Sequence, residues 1–179
     1  MPGRKDALAA AAELILALEA AALSTGAIDT VGTVGVCEVF PGAVNSIPSR
    51  VTITTDVRDV DRERRDGVLD ALRQASDDLA ARRGVKIVTE LINADPPTTC
   101  DPEILEALED SARAAGKKYK RMVARAYHDS SFVSCFAPTA MLFIPCRGGV
   151  SHRPDEYASP EWIGGGVHVL SRTLATLAS

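Results

Sequence analysis

Apolar side chains recur at helical spacing in the first segment of the chain. Residues 5–23, KDALAAAAELILALEAAAL, place Leu8, Ala11, Ile15, Leu18 and Ala22 on one stripe, which predicts a helix with a single core-facing side. Gly26, just beyond, suits a C-terminal stop. The period then changes. TVGTVGVCEVF (30–40) is rich in β-formers, PGAVNSIPS (41–49) is turn chemistry, and RVTITTDVRD (50–59) alternates strictly. Val51, Ile53, Thr55 and Val57 share one face of that strand, and Thr52, Thr54, Asp56 and Arg58 the other. Asp61 can cap a helix running to Arg83, with Val68, Leu72, Ala75 and Leu79 as its stripe and Gly84 as its end. VKIVTELI (85–92) predicts a further strand. The first part therefore reads helix, strand, strand, helix, strand.

NADPPTT (93–99) is dense in turn and breaker residues and marks a boundary. Asp101-Pro102-Glu103 then supplies an N-cap, a first-turn proline and a favourable acid for a helix to Ala115, stopped by Gly116. YKRMVAR (119–125) predicts a short strand and DSSFVSCFA (129–137) a short helix. TAMLFIP (139–145) is an uninterrupted apolar run, as expected of a strand covered on both faces. A glycine-histidine loop, GGVSHRPDE (148–156), follows at once. Ser159-Pro160-Glu161 opens the last helix, with Ile163, Val167, Leu170 and Leu174 expected inward. Alternating helix and strand favours a parallel sheet, so the class expected for the whole chain is α/β.

Composition narrows the functional classes. Over 179 residues the chain is 46% hydrophobic and 25% charged with a net charge of -4, so no general basic surface points to nucleic acid. No apolar run is long enough for a membrane span, and Asp6 and Glu13 break the Ala-rich N-terminal stretch, which argues against a signal peptide. Cys37, Cys100, Cys135 and Cys146 lack metal-binding spacing. They read as free and mostly buried thiols, and the expected location is the cytoplasm.

Three histidines limit the chemistry. His168 falls on a face of the last helix, with no partner geometry. His128, in AYHDSS, follows one predicted strand, and His152 lies directly after another. Loops at the carboxyl ends of parallel strands are where α/β proteins place ligands. Two readings stand: the histidines converge on one crevice, or each caps a turn. Glu156 could fix the His152 imidazole, as carboxylates do for metal-bound histidines. Asn45 and Arg58 could together grip a substrate carboxylate. Equally, Arg58 could be a surface arginine paired with Asp56 or Asp59.

Four blocks in order, RKDAL (4–8), PGAVNSIPSRVTITTDVRD (41–59), YHDSS (127–131) and GGVSHRPDEYAS (148–159), resemble the M20 metallopeptidase superfamily. The branch they resemble cleaves N-carbamoyl-L-amino acids, β-ureidopropionate or allantoate. The resemblance implies a ferredoxin-like α+β lid and dimerisation domain lacking its first strand over 1–98. It implies the C-terminal segment of a zinc-peptidase-like α/β catalytic domain over 99–179. It places His152 on the last metal ligand, with Glu156 behind it. His128 falls on a histidine that contacts substrate at the scissile group, and Asn45 and Arg58 on residues that hold the substrate carboxylate. Tyr127 stands where the family has glycine, and Ser130 where a small alanine is common, which bears on specificity.

The family uses two divalent ions, zinc or manganese, and most of their ligands have no counterpart here. The expectation is at most one weak partial metal site and no catalysis by the chain alone. The expected partners are a small carboxylate or ureido substrate, together with copies of the chain or an N-terminal half. Neither nucleic acid nor a membrane is expected. The competing expectation is a non-catalytic module that dimerises and binds a small carboxylate.

Overall fold

The computed structural model describes Met1 and residues 3–179 as a mixed α/β chain in two compact units, Met1–Pro97 and Thr98–Ser179. The first unit runs α1 (Ala7–Ser24), β1 (Val31–Phe40), β2 (Arg50–Arg58) and α2 (Arg62–Arg83). Alanine-rich α1 needs little tertiary help to be helical. The Asp6 carboxylate starts it by accepting from the Leu8 and Ala9 amides at 3.0 and 3.1 Å. Asp61 does the same for α2, accepting from Glu63 and Arg64 at 2.8 and 3.1 Å. Gly84 ends α2 with φ 62, a left-handed conformation that glycine adopts without Cβ strain.

β1 and β2 pair antiparallel from Val31↔Arg58 to Phe40↔Arg50, with an irregularity between Val34 and Val36 that makes Gly35 the extra residue. The predicted alternation of β2 holds: Val51, Ile53, Thr55 and Val57 are half-buried, and Thr52, Thr54, Asp56 and Arg58 exposed. Both helices cover the inner face. Leu14, Leu18, Val68, Leu72 and Leu79 form the core, joined by Val34, Ile53, Val57 and Ile87. At Gly32 the strand comes so close to α1 that a Cβ would sit 3.2 Å from the Leu18 side chain.

Leu8, placed inward by the sequence pattern, is exposed. By length and composition α1 is also apolar enough to cross a membrane, contrary to the expectation from the sequence. Its Leu14 and Leu18 lie in the core, however, and Glu13 pairs with Arg82 and Arg83 of α2, as in the core helix of a globular unit.

Polar ties complete the first unit. The Asp59 side chain is 0% exposed and receives the Arg64 guanidinium at 2.6 and 3.0 Å, the Thr30 hydroxyl at 2.5 Å and the Asp61 amide at 2.8 Å. Arg65, also buried, donates to the Asp95 carbonyl at 2.5 Å and to the Asp66 carboxylate. It thereby ties the segment after α2 back onto that helix. The strand expected over 85–92 is not formed among the described residues, although Val85 and Ile87 are half-buried and Lys86 and Val88 exposed. A strand is a property of a pair, and the one ladder among the described residues is that of β1 with β2.

In the second unit α3 (Pro102–Ala114) packs on α5 (Pro160–Leu177) through Leu108, Ala112 and Val169. A four-residue helix, α4 (Ser130–Val133), and a turn at Arg147–Gly149 lie between them. Asp101 caps α3 and Ser159 caps α5, as the sequence predicts. The parallel sheet is not observed: residues 119–125 and 139–145 form no strands among the described residues, and Leu142, Phe143 and Ile144 are exposed. The inward face of α5 is likewise corrected. Ile163, Val167, Leu170 and Leu174 are exposed, whereas Val169 and Thr173 are buried against α3. A Cβ on Gly166 would overlap Ile144 Cγ2, so glycine is what lets α5 lie on the 139–145 segment. All four cysteines are free, but Cys37 and Cys135 are exposed and the other two only half-buried.

The Asp59 node gives a pH prediction. The Arg64 guanidinium, followed by the Thr30 hydroxyl and the Asp61 amide, outweighs desolvation and holds the Asp59 carboxyl at about 2. A folded-state value below the unfolded value of about 4 means that this contribution is complete above about pH 4 and is lost as pH falls through about 2. Asp59→Asn should therefore lower the urea midpoint at pH 7, by an amount equivalent to about 1–3 kcal/mol, and flatten its fall between pH 4 and 2. A parental slope retained in the variant would remove Asp59 from the node.

Candidate functional site

Each candidate residue is placed by a different local device. His128 follows the 119–126 segment, which holds no helix or strand, and leads into α4, where the Ser131 amide donates to its carbonyl at 2.9 Å. Its half-buried ring meets Phe143 edge-on, with centroids 5.6 Å apart. Ser130 Oγ lies 3.0 Å from Met141 Sδ, so two residues of the YHDSS block touch the apolar 139–145 segment. Tyr127 packs edge-on against Phe132 at 5.6 Å.

His152 sits in the glycine loop with φ 58, a left-handed conformation that costs a non-glycine residue roughly 1–2 kcal/mol. Its side chain is exposed. Glu156 is beside it, but by a different route from the one expected: Glu156 Oε2 accepts the His152 backbone amide at 2.8 Å. The carboxylate fixes the loop at that atom, and no imidazole bond to Glu156 is seen among the described residues. No hydrogen bond or ring contact joins the two histidines among the described residues. His168 is exposed on α5.

In the first unit, Arg58 is the last residue of β2, opposite Val31, whereas Asn45 lies in the connection at the other end of the hairpin. The nine residues of β2 extend roughly 30 Å at strand rise. Arg58 is held by Asp56 in a two-point pair, Nε to Oδ1 at 2.8 Å and Nη2 to Oδ2 at 2.6 Å. Asp56 raises the Arg58 pKa, and Arg58 lowers that of Asp56. The pair is about half-exposed, and such pairs are worth roughly 0–1 kcal/mol. An incoming carboxylate could therefore take the place of Asp56 at little cost. The alternation of β2 put both residues on one face, and the sequence named Asp56 as a partner for Arg58. Phe143 beside His128 is a long-range pairing with no local signal.

No group of three or more His, Cys, Asp or Glu residues gathers among the described residues. A dinuclear centre needs several such donors on converging walls. One exposed imidazole does not fit that requirement.

Comparison with known proteins gives the chemical context. Residues 3–176 match the model of peptidase family M20/M25/M40. The chain is 47% identical to ureidoglycolate hydrolase of Oryza sativa subsp. japonica, over 99% of this chain and 37% of that protein. It is 35% identical to N-carbamoyl-L-amino acid amidohydrolase of Geobacillus stearothermophilus, over 98% of this chain and 42% of that one. The crystal structure of AtUAH in complex with glyoxylate superposes with a TM-score of 0.91 at 46% identity, covering 99% of this chain and 42% of the other. The chain thus spans about two fifths of the length of these relatives.

Isothermal titration of the 179-residue chain with zinc or manganese should give weak binding, below one ion per chain. Tight uptake of two ions would contradict the donor count.

Proposed function

Because the chain belongs to peptidase family M20/M25/M40, we propose that it is the lid and C-terminal part of a metal-dependent hydrolase of linear amides. The bonds cleaved would be non-peptide C–N bonds of ureidoglycolate, N-carbamoyl amino acids or allantoate. The observation that carries this reading is the 47% identity to a ureidoglycolate hydrolase over 99% of the chain. In this reading Arg58 exchanges Asp56 for the substrate carboxylate, whereas Asn45, at the far end of the hairpin, does not share that grip within one chain. His128 stands at the scissile group, with Tyr127 trimming the space beside it. His152 is this chain's metal ligand. The other ligands belong to an N-terminal half, so the chain alone does not turn over substrate.

The same reading accounts for the unpaired segments. Val85 and Ile87 keep strand alternation without a ladder, and extended backbone of that kind accepts a strand from another chain. The edge is filled either by a second copy or by the N-terminal half. Light scattering of the purified chain should show association, and a stable monomer at micromolar concentration would count against it.

Ammonia release separates the enzyme reading from its alternative, a module that associates and binds a small carboxylate. The chain with zinc or manganese should release none from ureidoglycolate. Addition of a separately produced N-terminal portion should restore release, and Arg58→Ala should then raise KM by about ten- to a hundredfold, as expected for loss of a charge-assisted grip. Turnover by the unaccompanied chain would overturn the proposal. Glyoxylate binding with no turnover in any combination would favour the module.

A further inference from the structure

The loop that carries His152 is fastened at more points than its length requires. At its base the Arg147 amide donates to the Tyr157 carbonyl at 2.8 Å. The Arg147 side chain then folds across the opening. Its Nη2 donates to the Asp155 carbonyl at 3.0 Å, and the guanidinium lies over the Tyr157 ring, 5.3 Å from the centroid. Within the ring so closed, Gly148 and Gly149 both have φ 67, His152 has φ 58, and the His152 amide donates to Glu156 Oε2 at 2.8 Å. Arg153 and Asp155 add a two-point pair, each bond 3.0 Å.

A side chain at positive φ crowds its own backbone, so the conformation persists only where surroundings determine it. Burial does not do so here, because Arg147, His152, Glu156 and Tyr157 are all exposed. The polar ties are what remain. Arg147 closes the loop at two carbonyls and a ring, and Glu156 holds the His152 amide, whose N–Cα bond is the axis of that positive φ.

We propose that Arg147 and Glu156 are positioning residues for His152, setting the direction in which its imidazole leaves the backbone before any ligand or companion segment arrives. The proposal rests on the reading of His152 as the chain's contribution to the hydrolytic site, and deepens it. Such prior order removes an ordering cost from whatever binds there. Glu156 acts through the backbone, so its acceptor oxygen is the requirement and its charge adds strength to the bond. Arg147 acts through a planar fork and a stacking face, which lysine does not reproduce.

Solvent-exchange NMR of the His152 amide in the 15N-labelled, metal-free 179-residue chain tests this. Glu156→Ala should speed exchange about tenfold or more, since a hydrogen-bonded amide exchanges only on opening. Glu156→Gln, which keeps a carbonyl oxygen at the same reach, should retain most of the protection that Glu156→Ala loses, and Glu156→Asp, one methylene shorter, should not. Arg147→Lys should speed exchange at both His152 and residue 147. Thermal melting should be unchanged throughout, separating loop opening from unfolding. A parental His152 rate in Glu156→Ala, or equal acceleration in Glu156→Gln, overturns the proposal. Full activity of His152→Ala in the complemented enzyme would instead sink the site reading and leave the loop assignment standing.

Discussion

A backbone amide or carbonyl that leaves water must find a partner, and this constraint governs where the chain is finished and where it is open. The β1–β2 hairpin meets it along the edge its two strands share, and the helices meet it with their own bonds and their aspartate and serine caps. Residues 85–92, 119–125 and 139–145 do not meet it through any ladder among the described residues. Those three segments are also the most strand-like stretches outside the hairpin. Beside the paired hairpin the side chains bury a core; along the unpaired 139–145 run, Leu142, Phe143 and Ile144 are exposed.

The distribution of candidate chemistry follows the same division. Arg58 is on the paired hairpin, where β2 fixes its face and Asp56 holds its guanidinium. His128 and His152 flank the unpaired 139–145 run, one touching it through Phe143 and the other following it in a loop that is fastened locally. A site built on this second unit relies on short-range ties rather than on a sheet. The likeness to proteins more than twice as long is consistent with that pattern.

What could be read from the sequence was mostly local. Asp61, Asp101 and Ser159 announce helix starts because a side-chain oxygen three residues or fewer from an orphan amide acts within its own turn. The helix stop at Gly84 and the two faces of β2 were legible for the same reason. Long-range consequences were not. The spacing of Ile163, Val167, Leu170 and Leu174 is genuinely helical, but spacing does not say which face a neighbour covers, and α3 covers the one with Val169 and Thr173. Glu156 was legible as a partner of His152 from its spacing, whereas its choice of the amide over the ring depends on a backbone angle that no pattern of residue types encodes. The family blocks identified the M20 relationship because they joined sites that are far apart in sequence.

One feature of the first unit reaches beyond its own packing. The guanidinium of Arg65 grips the carbonyl of Asp95, and the next two residues are Pro96 and Pro97. Ring closure locks φ at both, and proline at 96 also confines Asp95 to extended backbone. A single side chain on α2 thus sets the heading of the polypeptide for a short stiff rod past its point of attachment. Torsional freedom past that attachment returns at ψ of Pro97, the first torsion that neither a ring nor a following proline restricts.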